Sequence, residues 1–283
     1  MKTILCLLQA VSILVFGHSY GVDCTEYLPS LAVDAGIETL HVGRFIKGNC
    51  SLEEHYNYFV NDTTGKYSEC RPGEVSFTAV PKTVRQALTE TRWDYVVFQT
   101  SLENEGRYET VQPYLDDLIE YVTRTQKDVF GSSPVLCWNL FWPISVLHEH
   151  GEKQLSTYRL GFYGNSSLKM WKAYRATARQ IRRRTGISRI IPSGTAVMAF
   201  RASELAVPEA KELTRDGYHL SYGGGRYLAA CTWFESLLSP AYGISVVGNP
   251  FRVDKSPVPV TDDATALRLQ GMARRAARHP FGR

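Results

Sequence analysis

Residues 16–23 read Phe-Gly-His-Ser-Tyr-Gly-Val-Asp, "FGHSYGVD", and embed Gly17-x-Ser19-x-Gly21, the signature of a serine held on a sharp strand-to-helix turn. The run before it, "SILVF" at 12–16, is short, apolar and β-branched, so it reads as a buried parallel strand ending at Gly17. In the usual order for such an elbow, earlier strands supply part of the oxyanion hole, and the acid and the histidine come from separate later loops. Ser19 ends the very first strand, so that hole-forming segment has no place before it. The other clue lies 200 residues on, in Asp216-Gly217-Tyr218-His219. An acid and a histidine three residues apart can share one loop, with the acid orienting the imidazole and the imidazole reaching a serine at the edge of strand one. The five-residue elbow match is thus partly accidental, and Ser19 still reads as a nucleophile.

Outward from Ser19, strands and helices alternate. Asp23 and Thr25 offer caps for a helix carrying Leu28, Leu31, Ala32 and Ala35 and ended by Gly36. "ETLHVGR" at 38–44 reads as the second strand, and residues 55–80, polar with turn signals at 62–65 and 71–73, predict a small hairpin excursion. A helix over 82–91 leads to strand three, "WDYVVFQ" at 93–99, and a helix over 108–126 leads to strand four, "PVLCWNL" at 134–140. A polar and aromatic loop at 141–162 precedes a helix at 167–184 and strand five, "SRIIP" at 188–192, before helices at 224–238 and 262–278. The alternation predicts an α/β fold of three layers, αβα, with an open, mostly parallel sheet. One domain is expected over 13–283.

Composition sets the outer bounds. With 44% hydrophobic and 21% charged residues and a net charge of +4, the chain reads as an ordinary globular protein. The basic runs Arg179–Arg184 and Arg274, Arg275, Arg278 suit solvated helix ends, and no basic and aromatic platform for nucleic acid is present. The six cysteines, at 6, 24, 50, 70, 137 and 231, read as buried thiols rather than a disulfide framework. His148 and His150 flank Glu149 without the i, i+4 pairing of a helical zinc site, so neither metal nor cofactor is expected. Asn49, Asn61 and Asn165 stand in glycosylation triplets, which matter only if the protein is secreted. The start, "MKTILCLLQAVS" at 1–12, resembles a signal peptide but is shorter than the usual ~15–30 residues. An uncleaved, cytoplasmic chain is the expectation, with export as the alternative. No apolar run reaches the roughly 20 residues of a spanning helix.

The pairing of Gly17-His18-Ser19 with Asp216-x-x-His219 resembles the GDSL/SGNH hydrolase superfamily, whose first block ends strand one and whose last block is Asp-x-x-His. Within it the chain is similar to a bacterial subgroup with a Gly-x-Ser first block. The shared landmarks are "GHSYGVDCTEYLPSLAVDAGI", "GNCSLEEHYNY", "YETVQPYL", "GISRIIPSGTAV" and "DGYHLSYGGGRYLAAC", in that order over nearly the whole chain after residue 12. The resemblance implies a flavodoxin-like SGNH-hydrolase fold, with Ser19 as nucleophile, His219 as general base and Asp216 as its orienter. The backbone N–H of Ser19 and of Gly48 would serve the oxyanion, with Gly43 as a weaker choice than Gly48. The third block departs from the family's Gly-x-Asn-Asp: here it is Gln99-Thr-Ser-Leu-Glu-Asn104, so Gln99 or, alternatively, Asn104 would supply the side-chain donor.

Each of these residues also has a structural reading. A serine after a strand is commonly a helix N-cap, and a lone histidine is commonly a satisfied core group. His18 fills a slot usually held by Asp or Asn and reads as a support for the loop. Trp138, Phe141, Trp142 and Tyr163 suit either a core or an aromatic sugar platform, and Thr195, after strand five, and Asn165 suit either a site role or the capping of a turn. The expected activity is that of a serine esterase removing a short acyl group, acetyl first among them, from a carbohydrate or other small polar ester. A catalytically silent carbohydrate-binding protein and a thioesterase or lipase of the same fold are the alternatives.

Overall fold

The computed structural model describes residues 10–282. The apolar start at 1–12, similar to a signal segment, lies outside them except for its last three residues. In chain order the strands are β1 (Val11–Gly17), β2 (Leu40–Ile46), β3 (Thr64–Gly65), β4 (Tyr67–Cys70), β5 (Thr78–Ala79), β6 (Lys82–Thr83), β7 (Tyr95–Phe98), β8 (Val135–Asn139) and β9 (Arg189–Ile191). Every residue of β1 is buried, which is why its run from Ile13 to Phe16 is apolar without alternation. It pairs in parallel with β2 on one side and β7 on the other. The seven-stranded sheet runs β5-β4-β2-β1-β7-β8-β9, with β4 and β5 antiparallel at one edge.

The parallel strands alone, β2-β1-β7-β8-β9, have the flavodoxin-like order in which the chain reverses direction between β1 and its neighbour. Ligands of open α/β sheets sit outside the carboxyl ends of the strands at that reversal, here the ends of β1 and β7. The floor there is aromatic. Phe16, Phe45 and Phe98 occupy one register line across β2, β1 and β7, with ring centroids 5.5 and 5.7 Å apart. Helices Ser19–Thr25, Ser193–Arg201, Gly224–Trp233 and Asp263–Arg278 pack together on one face of the sheet. Helices Leu52–Val60, Val84–Glu90 and Tyr114–Phe130 pack together on the other, giving the three-layer αβα architecture expected. Among the described residues, no helix is long and apolar enough to cross a membrane.

Several local expectations are corrected. Asp23 and Thr25 cap nothing: the helix already starts at Ser19, Asp23 is buried inside it, and a second segment starts at Leu28. Residues 55–80 are not all hairpin. Helix Leu52–Val60 comes first, set by a capping box of Ser51 and Glu54, and only then the β4–β5 hairpin. The loop at 141–162 contains helix Gly151–Thr157. Thr195 does not cap a turn. It lies within helix Ser193–Arg201 and donates through Oγ1 to the carbonyl of Pro280 at 2.6 Å. Trp138, Phe141, Trp142 and Tyr163 are all buried, so they form core and no sugar platform. The five cysteines among the described residues are free and buried.

Candidate active site

Ser19 is the first residue of the helix that follows β1, and it is not the cap. That role falls to His18, whose Nδ1 accepts the Tyr20 N–H at 3.4 Å. The Ser19 side chain is therefore left for another partner. Its Oγ lies 2.7 Å from Nε2 of His219, and Nδ1 of His219 lies 2.6 Å from Oδ2 of Asp216. A carboxylate only accepts, so Nδ1 carries the proton, and Nε2 is left to accept from the Ser19 hydroxyl. All three residues are partly exposed, so the line of hydrogen bonds stands open to solvent at its serine end.

The loop that carries Asp216 and His219 is a tight local structure. Oδ1 of Asp216 accepts the backbone N–H of His219 at 2.8 Å and of Tyr218 at 3.2 Å. Arg215 N–H donates to the His219 carbonyl, and Thr214 and Leu220 form an antiparallel bridge that closes the loop. Gly217 sits at φ 90°, a conformation L side chains rarely adopt, which explains a glycine there. Its carbonyl accepts Ser145 N–H at 2.7 Å, and the Tyr218 carbonyl accepts the Trp142 indole N–H at 2.7 Å. The segment after β8 thus buttresses this loop from behind. Burial pushes the Asp216 carboxyl upward, but the hydrogen bond and charge of His219 and the two backbone N–H groups outweigh it, so the net shift is downward.

Around the end of β1, burial governs the remaining histidines. His18 is pushed down to about 3, chiefly by desolvation and then by His219 and His55, so it stays neutral. His55, from the capped helix, is lowered to about 4 by burial, and its Nε2 lies 3.1 Å from the Gly17 carbonyl. Gln99 follows β7 and is buried, with its N–H bonded to the Phe16 carbonyl. Its Oε1 accepts the His18 N–H at 3.4 Å, which leaves Nε2 as a donor with no partner among the described residues. A Cβ on Gly17 would overlap that Oε1, so the glycine is what lets the Gln99 amide come against β1.

The turn after β2 carries Gly48. Lys47 N–H reaches the Gly17 carbonyl at 3.5 Å, and Asn49 bonds to Leu102 N–H and to Glu103, which fastens the turn between β1 and the loop after β7. Gly43, by contrast, lies inside β2 opposite Leu14, away from the strand ends. Asn104 turns into its own loop, where Oδ1 accepts from Arg107 at 3.4 Å and the backbone N–H bonds to Ser101. The structure therefore brings Ser19, His219, Asp216 and the Gln99 amide to the end of β1, while the Asn104 side chain is engaged elsewhere. Two cavities of about 460 Å³ flank this region. One, lined by Ser145, His148 and Arg201, lies behind the Asp216 loop; the other, lined by Val22, Ile46 and Tyr67, adjoins the Ser19 helix. No group of three or more His, Cys, Asp or Glu among the described residues is placed to hold a metal ion.

Glu105 is the residue that sequence reading passed over. In a charged loop it reads as solvated, yet it is only 1% exposed and neither carboxylate oxygen has a hydrogen-bond partner among the described residues. Desolvation holds its carboxyl well above the usual range, and the nearby Trp138 indole offsets only part of that. The folded state therefore keeps a proton that the unfolded chain releases above about pH 4.3. Stability from this site is full below that pH and falls as pH rises toward the folded value. Glu105→Gln is expected to raise the melting temperature at pH 7–8, with a gain that vanishes near pH 4. Melting curves of the two proteins that run parallel across this range would show that Glu105 folds in its charged form.

With this geometry in place, the chain's likenesses take on meaning. The family described as "Domain of unknown function (DUF4886)" matches residues 12–266. A DUF4886 family protein from Bacteroides uniformis ATCC 8492, known from its crystal structure, is 29% identical, with 96% of each chain covered and a TM-score of 0.79. An acetyl xylan esterase, AlAXEase, is 13% identical over 79% of this chain and 98% of its own, at a TM-score of 0.46. The C-terminal catalytic domain of peptidoglycan O-acetyltransferase A of Streptococcus pneumoniae is 10% identical over 95% and 96%, at 0.40. No curated protein matches it.

Proposed function

The chain belongs to the DUF4886 family, and from its serine, imidazole and carboxylate bonded in series at a strand end we propose a serine esterase for short acyl esters. The observation that carries this reading is the 2.7 Å contact of Ser19 Oγ with Nε2 of His219, an imidazole whose other ring nitrogen faces the Asp216 carboxylate. A serine hydroxyl is a weak nucleophile until a base takes its proton, and His219 is placed to do so. Oγ then attacks the ester carbonyl carbon while the proton moves to Nε2. Asp216 stabilises the imidazolium that forms. Collapse of the tetrahedral intermediate expels the alcohol, which leaves with the proton from His219. Water, deprotonated in turn by His219, attacks the acyl-serine, and collapse of the second tetrahedral intermediate returns the proton from His219 to Oγ, releasing the acid and free Ser19.

The oxyanion would be met by the backbone N–H of Ser19 and Gly48 and by the Nε2 group of Gln99. The acyl group is proposed to be small, acetyl first, and the alcohol a carbohydrate or similarly polar group, the latter by analogy with SGNH hydrolases alone. A fluorophosphonate probe tests the chemistry directly: it should label the wild-type protein at Ser19 and fail to label His219→Ala. A protein that binds glycans but takes no label would be a carbohydrate-binding relative without turnover.

The third block has its own test. Gln99→Ala is expected to lower kcat on an aryl acetate by roughly 10²-fold with little change in KM, as when an interaction forms only in the transition state. Asn104→Ala should cost about tenfold or less. The reverse order of effects would make Asn104 the donor and Gln99 a packing residue.

A further inference from the structure

Asp23 sits one turn beyond Ser19 on the same helix, and its carboxylate is fully buried. Oδ1 accepts from Arg226 Nε at 2.8 Å and from Arg215 Nη1 at 3.1 Å, and Oδ2 accepts the backbone N–H of Leu220 at 2.8 Å. Arg215 immediately precedes Asp216, and Leu220 immediately follows His219. One carboxylate therefore grips both ends of the loop that carries the acid and the base. Arg215 Nη1 also donates to the Leu220 carbonyl, which closes the grip. Arg226 brings in the helix Gly224–Trp233, on which the loop runs out.

We infer that Asp23 is a positioning residue for the proposed reaction, setting the distance between His219 Nε2 and Ser19 Oγ. This rests on the esterase reading above. The loop's own hydrogen bonds fix its shape but not its distance from Ser19. Its other hydrogen bonds, from Trp142, Ser145 and Gln154, reach the segment after β8. Toward the helix of the nucleophile it has, besides the bonds to Asp23 and Ser19, only the non-directional packing of the Tyr20 ring on Tyr218 and His219. Among the described residues, Asp23 alone joins residues 19–25 to residues 215–220 by hydrogen bonds, apart from the Ser19–His219 contact itself. A buried carboxylate between two guanidinium groups is a poor device for stability, because desolvation of the charges offsets much of their attraction. It is a good device for geometry, because three donors from fixed directions leave it one position.

The alternative is plain structural glue, and the rate constant of probe labelling separates the two. A merely destabilised protein loses labelling amplitude, because fewer molecules are folded, while those that are folded react at the normal rate. A displaced imidazole slows every molecule and leaves the end point complete. Asp23→Asn keeps the shape of the side chain but puts an amide NH₂ against one of its three donors. Well below its melting temperature, this variant should label to completion with a rate constant lower by about 10²-fold, and kcat on an aryl acetate should fall in step with KM nearly unchanged. Leu269→Ala, a truncation in the buried face of helix Asp263–Arg278, should melt earlier yet label at the wild-type rate. If Asp23→Asn does not fold, Arg215→Gln and Arg226→Gln each remove one donor and should slow labelling several-fold. Folded Asp23→Asn, or in its absence both arginine variants, labelling as fast as wild type would overturn the inference and leave the esterase reading standing. A wild-type protein that takes no label, or a Ser19→Ala variant that still does, would remove the esterase reading and the role of Asp23 with it.

Discussion

Ser19→Ala is expected to lower turnover of a short aryl acetate on the order of 10⁶-fold, to little more than the contribution of binding and the oxyanion donors. The size of the effect follows from what is left. Alanine removes the single atom that would form the acyl-enzyme, and the neighbouring hydroxyls of Tyr20 and Thr100 are buried and poorly placed to replace it. The fold should be untouched. His18, not Ser19, caps the helix, and the lost hydrogen bond leaves His219 Nε2 at a partly exposed position where water can meet it. A surface change of this kind usually alters stability by no more than about 0.5 kcal/mol. The measurement is kcat with fluorophosphonate labelling and a melting curve on the same preparation. Retention of more than about one part in 10² of the activity at an unchanged melting temperature would take Ser19 out of the mechanism.

How far the sequence discloses this molecule depends on the range of the interaction. β1 is legible because a strand buried on both faces carries an unbroken apolar run, here Ile13 to Phe16, and the alternation of elements then fixes the layers. Helix Leu52–Val60 was legible too, in Ser51-x-x-Glu54, but the polar composition of residues 55–80 outweighed it as a signal. Helix Ser193–Arg201 hides behind Pro192 and Gly194, which read as turn residues. Gly194 is there because a Cβ would overlap the Phe141 carbonyl, a packing reason that no local pattern carries. Ser19 and the Asp216-x-x-His219 block can be picked out by their order along the chain. Asp23 cannot, since its partners stand 192 to 203 residues away and a carboxylate after a strand looks like a cap. Glu105 fails in the opposite sense: its charge signals solvent, and its burial is decided by tertiary packing.

Asp216→Asn should be nearly as damaging as loss of the serine, with kcat lower by about 10⁴-fold, and the geometry gives the reason. Oδ1 of Asp216 accepts two backbone N–H groups, from Tyr218 and His219, while Oδ2 accepts from Nδ1. In asparagine only one arm is an acceptor. The two backbone donors claim it, because turning the amide would set its NH₂ against both. The NH₂ then faces Nδ1 of His219, which must give up its proton to accept. The imidazole changes tautomer, and Nε2, now protonated, donates toward Ser19 and can no longer take its proton. Nitrogen chemical shifts of the His219 ring report that exchange directly, and kcat reports its consequence. A pH series adds an independent check. The folded Asp216 carboxyl lies below its ordinary value, so its stabilising contribution is present above the unfolded value near 3.9 and is lost as pH falls through the folded one. The melting temperatures of wild type and Asp216→Asn should therefore differ at pH 7 and converge as the pH drops below 4. Turnover within tenfold of wild type, with Nδ1 still protonated, would show that His219 keeps its tautomer without the carboxylate.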